Sequence, residues 1–425
     1  MRIGMQTWGS HGDIRPMLVL AADLQSHGHA VTLAVTSTDG VDYSPTASAQ
    51  GIRLVDVASQ KAALAKRQLE TGKAITGETD IVKQMSLIIS QLLLPVEAEM
   101  YAAAEALCGE NQVIIGHYFH YPVQTAAEKF HRPYCTVTLN PSFIPSQEIS
   151  PSGLPNLGRA ANRYLWGLAK NKINDILGPY VNRLRQQIGL TAARDLITDV
   201  WLSHELNLIA VSPEICEKRP DWNEAHHVCG FFNSTQIRNE GKVLPELETF
   251  LGNGAPPVFM TFGSMVPEQL ETQTEVANLF ASAAQLAGCR AIIQTPLEGY
   301  GRFASSGELF FVKAAPHAAV FPKCAAVVHH GGAGTMQTVM LAGVPSVIVP
   351  HISDQFYWAR EAKRLGIASD PLPVTKLTRE ALAQRIKTTL ASNPLRERAR
   401  KIGTAVQNEA GVEKAVRLIN EKFAG

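Results

Sequence analysis

Residues Val328 to Thr335 read VHHGGAGT, two histidines running into a glycine turn. Consecutive glycines let the backbone come close to a ligand and turn N–H groups toward it. A helix start behind them adds positive partial charge, which is a way of holding phosphate without a lysine. Two adjacent histidines also raise a metal site. A shared zinc needs its ligands to converge, whereas His329 and His330 are neighbours on an extended strand end, where successive side chains point to opposite sides. They do not suit one ion, and no metal is expected. The chain has no G-x-x-x-x-G-K-[ST] stretch, which argues against a P-loop nucleoside triphosphatase. A glycine turn also connects strand to helix with no ligand at all, so this stretch alone leaves the phosphate reading open.

Other residues bear on that choice. Asp354 and Gln355 follow the next apolar run, PSVIVPHIS, at the same carboxyl edge as the glycine turn. An acid beside an amide both accepts and donates, which suits sugar hydroxyls; equally, Asp354 caps the helix beginning QFYWAREAKRLG. Near the N-terminus, the turn GSHGDIRP carries His11 and Asp13. Asp13 reads either as a general base toward a hydroxyl or as the cap of a helix starting near Ile14. His117 and His120, in GHYFHYP, are open between acid–base assistance and a purely structural place.

The elements that must position these residues follow from periodicity. RIGMQT and AVTLAV are strands, and IRPMLVLAADLQSHG is a helix with Pro16 in its first turn and Gly28 ending it. Strand, glycine turn, helix and strand make a βαβ unit with a parallel sheet. A second series starts near Pro257: PVFMTFG, a helix over Glu268 to Ala287, then RAIIQT, AAVVH, TMQTVMLAG, PSVIVP and QFYWAREAKRLG. The expected fold class is α/β, with two Rossmann-like domains facing across an inter-domain cleft, since ligands of such sheets bind beyond the carboxyl ends of the strands. The expected division is 1–234 for the first domain, 235–256 for a polar, glycine- and proline-containing linker, 257–405 for the second domain and 406–425 for a terminal helix that packs back on the first.

A chain of 425 residues with 45% hydrophobic content has enough apolar material for two cores. The formal net charge of +1 provides no global field for nucleic acid. Cys108, Cys135, Cys216, Cys229, Cys289 and Cys324 are scattered without a C-x-x-C pair, which argues for a reducing compartment rather than a disulfide framework. No signal-peptide pattern opens the chain, and the apolar run Met85 to Val96 is too short to span a bilayer and contains Pro95. A cytoplasmic location is expected. The segment from Arg159 to Arg185 holds Arg159, Arg163, Lys170, Lys172, Arg183 and Arg185 against the single acid Asp175. It reads as a core helix with a solvated face or as a peripheral contact with an anionic membrane.

The stretch HHGGAGTMQTVMLAGVPSVIVPHISDQ resembles the nucleotide-sugar signature of the UDP-glycosyltransferase superfamily, family 1 glycosyltransferases of the GT-B fold. The similarity is to its bacterial and fungal sterol and antibiotic branches. GSHGDIRPMLVLAADLQSHGHAVTLAV, FMTFGSM and AAPH fall in the family's order, and the resemblance runs from Arg2 to about Leu365, weakly between Tyr43 and Val211. It implies that His330 contacts the donor diphosphate and that His329 is packed. Gly331, Gly332, Gly334 and Thr335 would form the phosphate turn, and Asp354 and Gln355 would bind the donor sugar. Gly263 and Ser264 would lie near the phosphates, and the backbone of His317 would read the base. Asp13 matches the catalytic aspartate, at a place where plant-like members carry histidine; His11 is unusual there and stands as a second candidate. Where many plant members stack tryptophan on uracil this chain has Ala314, so uridine and thymidine both remain open.

The implied reaction is an inverting, metal-independent transfer of a hexose from a UDP- or dTDP-sugar to a hydroxyl of a lipophilic small molecule. The donor is a co-substrate, and no cofactor is needed. His117, His120, Phe143 and Trp166 are candidate walls for the acceptor. Two other readings use the same residues: a nucleotide-sugar epimerase, which makes product from donor alone, and a catalytically silent homologue that binds a partner enzyme.

Overall fold

The computed structural model describes every residue except 58–60, 77, 79, 234–241, 264–272, 295–304 and 425. The chain divides into two units. One comprises residues 1–71, 80–237 and 409–425, and the other residues 72–79 and 238–408.

The first unit holds a seven-stranded sheet. Its strands are β1 (Arg2–Gly9), β2 (Ala30–Ser37), β3 (Arg53–Asp56), β4 (Val113–His117), β5 (Tyr134–Thr138), β6 (Leu206–Ile209) and β7 (His226–Val228), in the order β3-β2-β1-β4-β5-β6-β7. All neighbours run parallel, with Gln6 opposite Ala34 on one side and Gly116 on the other. The six residues Ile3 to Trp8 are all buried, as a central strand covered on both faces requires. The first chain crossing runs outward from β1 and the second restarts at β4, so the order reverses between those two strands.

The second unit repeats the design with β8 (Val258–Thr261), β9 (Ala291–Gln294), β10 (Leu309–Val312), β11 (Ala326–His329) and β12 (Ser346–Ile348), ordered β10-β9-β8-β11-β12 and wholly parallel. Here the reversal falls between β8 and β11. Its core packs Phe262, Phe280, Val328 and Ile386 on one face of the sheet and Phe259, Phe321 and Val327 on the other.

Several expected boundaries shift. The residues 235–256 assigned to a linker contain a helix, Pro245–Gly252, whose Leu247 and Phe250 are buried in the second core. Polar composition hid those two apolar anchors, three residues apart. The first helix is His11–Ser26, capped by Ser10, so it starts three residues before Ile14 and Pro16 falls in its second turn. The terminal helix is Gly411–Phe423, preceded by a helix ending at Gln407. Val412, Ala415, Val416 and Ile419 join Ile3, Leu20 and Leu33 in the first unit's core.

The apolar run near Pro95 belongs to a longer helical stretch than its own length implies. Ile81–Glu110 is continuous over 30 residues and, by length and composition alone, apolar enough to cross a membrane. In this fold its interior turns tighten and loosen around Pro95, through a π turn at Ile89–Leu93 and a 3-10 turn at Leu94–Val96. Its last part packs on β1 and on the helix Tyr121–Lys129. The basic segment forms one helix, Arg159–Gln187. Five of its six cations meet acids from elsewhere: Arg159 with Glu148, Lys170 with Asp195, Lys172 with Asp80, Arg183 with Glu97 and Arg185 with Glu128. The local charge excess is thus compensated by tertiary pairing.

Candidate active site

Both reversals of strand order carry the residues singled out by their chemistry. In an open parallel sheet the crevice at such a switch, beyond the carboxyl ends of the strands, is where ligands bind.

In the first unit β1 ends at Gly9, whose φ of +121° an L side chain rarely adopts and where an added Cβ would collide with the Asp13 carboxylate. Glycine there lets Asp13, third residue of the helix, fold back onto the turn. Its Oδ2 accepts from the Ser10 N–H at 3.0 Å and from the Ser10 hydroxyl at 3.2 Å. Asp13 is therefore the returning half of a cap rather than the cap itself. Burial pushes its carboxyl above the ordinary value, while nearby His117 and the Ser10 hydrogen bonds pull it back. His117 ends β4, directly across the switch. Burial keeps it below the usual imidazole value, against the pull of Asp13, and its Nδ1 is buried with no partner. His11 is placed differently: its N–H donates to Asp39 at 2.8 Å, and its ring lies flat along Tyr43 at 6.1 Å.

The loop after β4 is strained. Phe119 has a φ of +79°, an outlier for a bulky residue. It stacks on Trp201 at 4.5 Å and meets Phe143 edge-on, with Tyr118 packed against all three. Phe119 and Phe143 remain partly exposed while Tyr118 and Trp201 are buried behind them. His120 is 1% exposed, pushed down to about 3 by burial, with both ring nitrogens unpartnered. Trp166 lies apart from this cluster in its contacts: its indole N–H donates to the Ile149 carbonyl, anchoring the helix to the preceding loop.

In the second unit β11 ends in His329, fully buried, with Nε2 3.2 Å from the Ser346 hydroxyl and Nδ1 accepting from the Gly331 N–H. His329 thus shapes the turn from inside. His330 lies over it. A Cβ on Gly332 would come about 2.5 Å from His330 Nε2, and one on Gly263, at the end of β8, about 3.6 Å from the same ring's Cε1. The imidazole is thus seated between the two glycine turns of the switch. Burial holds His330 down at about 4, and His317 adds to that. Behind it Gly332 begins the helix Ala333–Ala342, with Gly334 and Thr335 in its first turn and no side-chain cap. The first-turn N–H groups and the helix dipole together present a positive end.

Asp354 and Gln355 are the second and third residues of the helix Ser353–Arg364. Asp354 is therefore not its cap. Gln355 is 3% exposed, and its carbonyl oxygen accepts from the N–H groups of His351 and Ile352. That half of the amide is committed to the turn. His317 opens a short helix; its Nε2 hydrogen-bonds to Gln294 at 2.7 Å and its ring stacks on Phe321 at 4.5 Å. Ser264 lies outside the described residues. Among the described residues no three His, Cys, Asp or Glu side chains gather around a common point that would hold an ion.

Residues 306–418 match the family described as Erythromycin biosynthesis protein CIII-like, C-terminal domain. The whole chain is 30% identical to an O-mycaminosyltylonolide 6-deoxyallosyltransferase of Streptomyces fradiae, over 99% of this chain and 97% of that one. The chain belongs to the family 1 glycosyltransferases. It is also 27% identical to a sterol 3-beta-glucosyltransferase of Arabidopsis thaliana, over 98% of this chain and 67% of that one. Among solved structures, the glycosyltransferase VinC in complex with dTDP superposes with a TM-score of 0.66 at 19% identity, covering all of both chains. The fold is GT-B.

Sequence reasoning about this glycosyltransferase missed His351, Trp201 and the strain at Phe119. Trp201 sits in a π turn, Ile197–Trp201, far along the chain from β4, and no local pattern ties the two. His351 follows directly on a buried strand in VIVPH, where a polar residue is a visible if weak signal.

Proposed function

We propose that this glycosyltransferase moves a hexose from a nucleoside-diphosphate sugar to a hydroxyl of a lipophilic small molecule, by single displacement with inversion and without a metal ion. The observation that carries this reading is that both chemistry-bearing turns occupy the strand-order reversals of their own sheets. Asp13 and His117 hold one, and His330 with the glycine turn holds the other.

In this reading Asp13 takes the acceptor's hydroxyl proton as that oxygen attacks the anomeric carbon. The carboxylate fits the task because it is ionisable, raised above its ordinary value by burial and still hydrogen-bonded in place. The diphosphate leaves with increased charge, which is met by the first-turn N–H groups of Ala333–Ala342, its dipole and His330. Those are nitrogen donors rather than carboxylates, the opposite of the oxygen-rich set a magnesium ion asks for; this supports the metal-independent route. Asp354, at the start of the next helix, and the nitrogen side of Gln355 would meet the sugar hydroxyls. The partly exposed faces of Phe119 and Phe143 offer a flat apolar wall for the acceptor. Two relatives are named for O-mycaminosyltylonolide and for a sterol, which supports a lipophilic acceptor; the base stays open between uridine and thymidine.

The test is a mass-spectrometric screen of the purified chain with UDP- and dTDP-hexoses against sterol, terpenoid, polyketide and simple lipid alcohols. A product heavier than the acceptor by one hexosyl unit, with inverted anomeric configuration and undiminished in EDTA, is expected. Product formed from donor alone would favour an epimerase, and donor binding with no turnover on any acceptor would favour a silent binding protein.

A further inference from the structure

A second imidazole stands behind the phosphate turn. His351 follows β12 and is 4% exposed. Its N–H donates to Gln355 Oε1 at 2.8 Å, its ring packs edge-on to Phe262 at 4.8 Å, and its Nδ1 lies 2.8 Å from the Val349 carbonyl. A carbonyl only accepts, so Nδ1 carries the proton and the neutral ring keeps a lone pair on Nε2. That Nε2 is buried without a partner. The His330 ring stands 6.4 Å away at 79°, and its Nδ1 is buried and unpartnered too. Two adjacent rings thus each hold a buried nitrogen without a partner, the kind of pair that a buried water commonly satisfies.

The surroundings of this pair oppose positive charge in the free protein. His317 faces His330 from the neighbouring short helix, His329 lies beside it on β11, and the helix starts at Ala333 and Ser353 add positive partial charge. Asp354 is the acid in the first turn of the second of those helices. His330 is held down at about 4 and His351 at about 3, burial being the main cause for each. A bound diphosphate reverses that balance.

We propose that His351 is a positioning residue for His330: when a nucleoside diphosphate binds, His330 takes up one proton, turns Nε2–H to the phosphate and passes Nδ1–H, through one water, to the waiting Nε2 of His351. The proton comes from solvent and stays on His330 while the diphosphate is bound. His351 remains neutral, and no other bond is made or broken. The leaving group then departs against a cation held in one orientation, rather than against a neutral ring free to choose its tautomer. This inference rests on the reading of His330 as a diphosphate contact. The sign of its pH dependence follows: affinity strengthens as pH falls through the bound-state pKa of His330 and weakens above it.

The probes are dTDP and UDP, titrated calorimetrically into the full chain in buffers of different ionisation enthalpy, which counts protons taken up. The terminal phosphate itself titrates near pH ~6, so His330→Gln supplies the baseline to subtract. The unaltered protein should take up close to one proton more than that baseline. His351→Phe should abolish the excess and weaken binding about tenfold, the size of one charge-assisted hydrogen bond. His351→Gln, whose amide oxygen still accepts, should restore most of both. Long-range proton–nitrogen NMR of the unaltered chain reads the rings directly, whether or not the variants fold. His330 should pass from neutral to doubly protonated with dTDP, while His351 stays neutral and protonated on Nδ1. A neutral His330 in the complex, or a folded His351→Phe with unaltered proton count and affinity, overturns the proposal. Unchanged dTDP affinity in His330→Gln would instead sink the phosphate reading beneath it.

Discussion

Asp13 is both a hydrogen-bonding partner of its own turn and the proposed base, and substitution separates these roles. In Asp13→Asn the amide oxygen still accepts from the Ser10 N–H, so the turn survives, but no proton can be taken up. Turnover should fall about 10²- to 10⁴-fold, the usual contribution of a general base, with donor affinity kept; near-normal turnover in steady-state assays would remove Asp13 from that role. The stability effect has a definite sign. Because burial raises the carboxyl's native value above its unfolded one, the favourable contribution of the protonated form is complete below the unfolded pKa of about 3.8 and lost as pH rises through the native one. At pH 7 Asp13→Asn should thus melt at or above the temperature of the unaltered protein, and that advantage should vanish in acid. His117 pulls the Asp13 value down, so His117→Ala should move the acid limb of the kcat/KM profile to higher pH; a shift the other way would mean that the two do not interact. Asp13 and the glycine turn were legible because short motifs carry them. The bond from Asp13 back to Ser10 was not, since cap and third helical residue differ by only three places. His351 was missed because its importance lies in ring contacts with residues from other elements.

Helix starts decide the second site, and they can be tested one at a time. Gly332 has a φ of −63°, which any residue tolerates, yet a Cβ there would meet His330 Nε2 at about 2.5 Å. Gly332→Ala should therefore leave thermal stability nearly untouched while displacing the imidazole, and dTDP affinity measured by titration should fall about tenfold, one hydrogen bond's worth. A large loss of melting temperature with unaltered affinity would show that the glycine serves the backbone instead. On the long basic helix, Arg185 is 4% exposed on its side chain and bonds both oxygens of Glu128, at 2.7 and 2.8 Å. Glu128→Ala strands that buried guanidinium and should cost about 3 kcal/mol in urea unfolding; a cost near zero would mark the pair as an ordinary surface bridge. Periodicity displayed this helix and its charge, but the balancing acids come from five separate places in the chain. Composition alone therefore pointed to a more basic surface than the folded unit has.

At the scale of the whole chain, alternation of apolar runs with glycine turns was sufficient to read two parallel sheets. Strand order was not readable that way, and the two reversals emerge only from which strands hydrogen-bond. Nor did polar composition reveal that Pro245–Gly252 belongs to a core. The same holds for the last helix, whose Val412, Ala415, Val416 and Ile419 are 5% exposed or less. Ile419→Ala should cost about 2–5 kcal/mol by leaving a cavity among β-sheet residues, and the first unit should lose cooperative unfolding before the second, which differential scanning calorimetry would resolve. A single unaltered transition would show the helix to be dispensable.

That closing helix also imposes an order on synthesis. Residues 238–408, nearly the whole second unit, emerge from the ribosome as one run, whereas the core around β1 waits for side chains more than 170 residues beyond the end of its previous segment. At about 5–20 residues per second, the nascent first unit spends roughly ten to thirty seconds with Ile3, Leu20 and Leu33 lacking their final cover. During that interval its apolar sheet face is a target for chaperones, and slowed translation across the second unit would lower the soluble yield of the first.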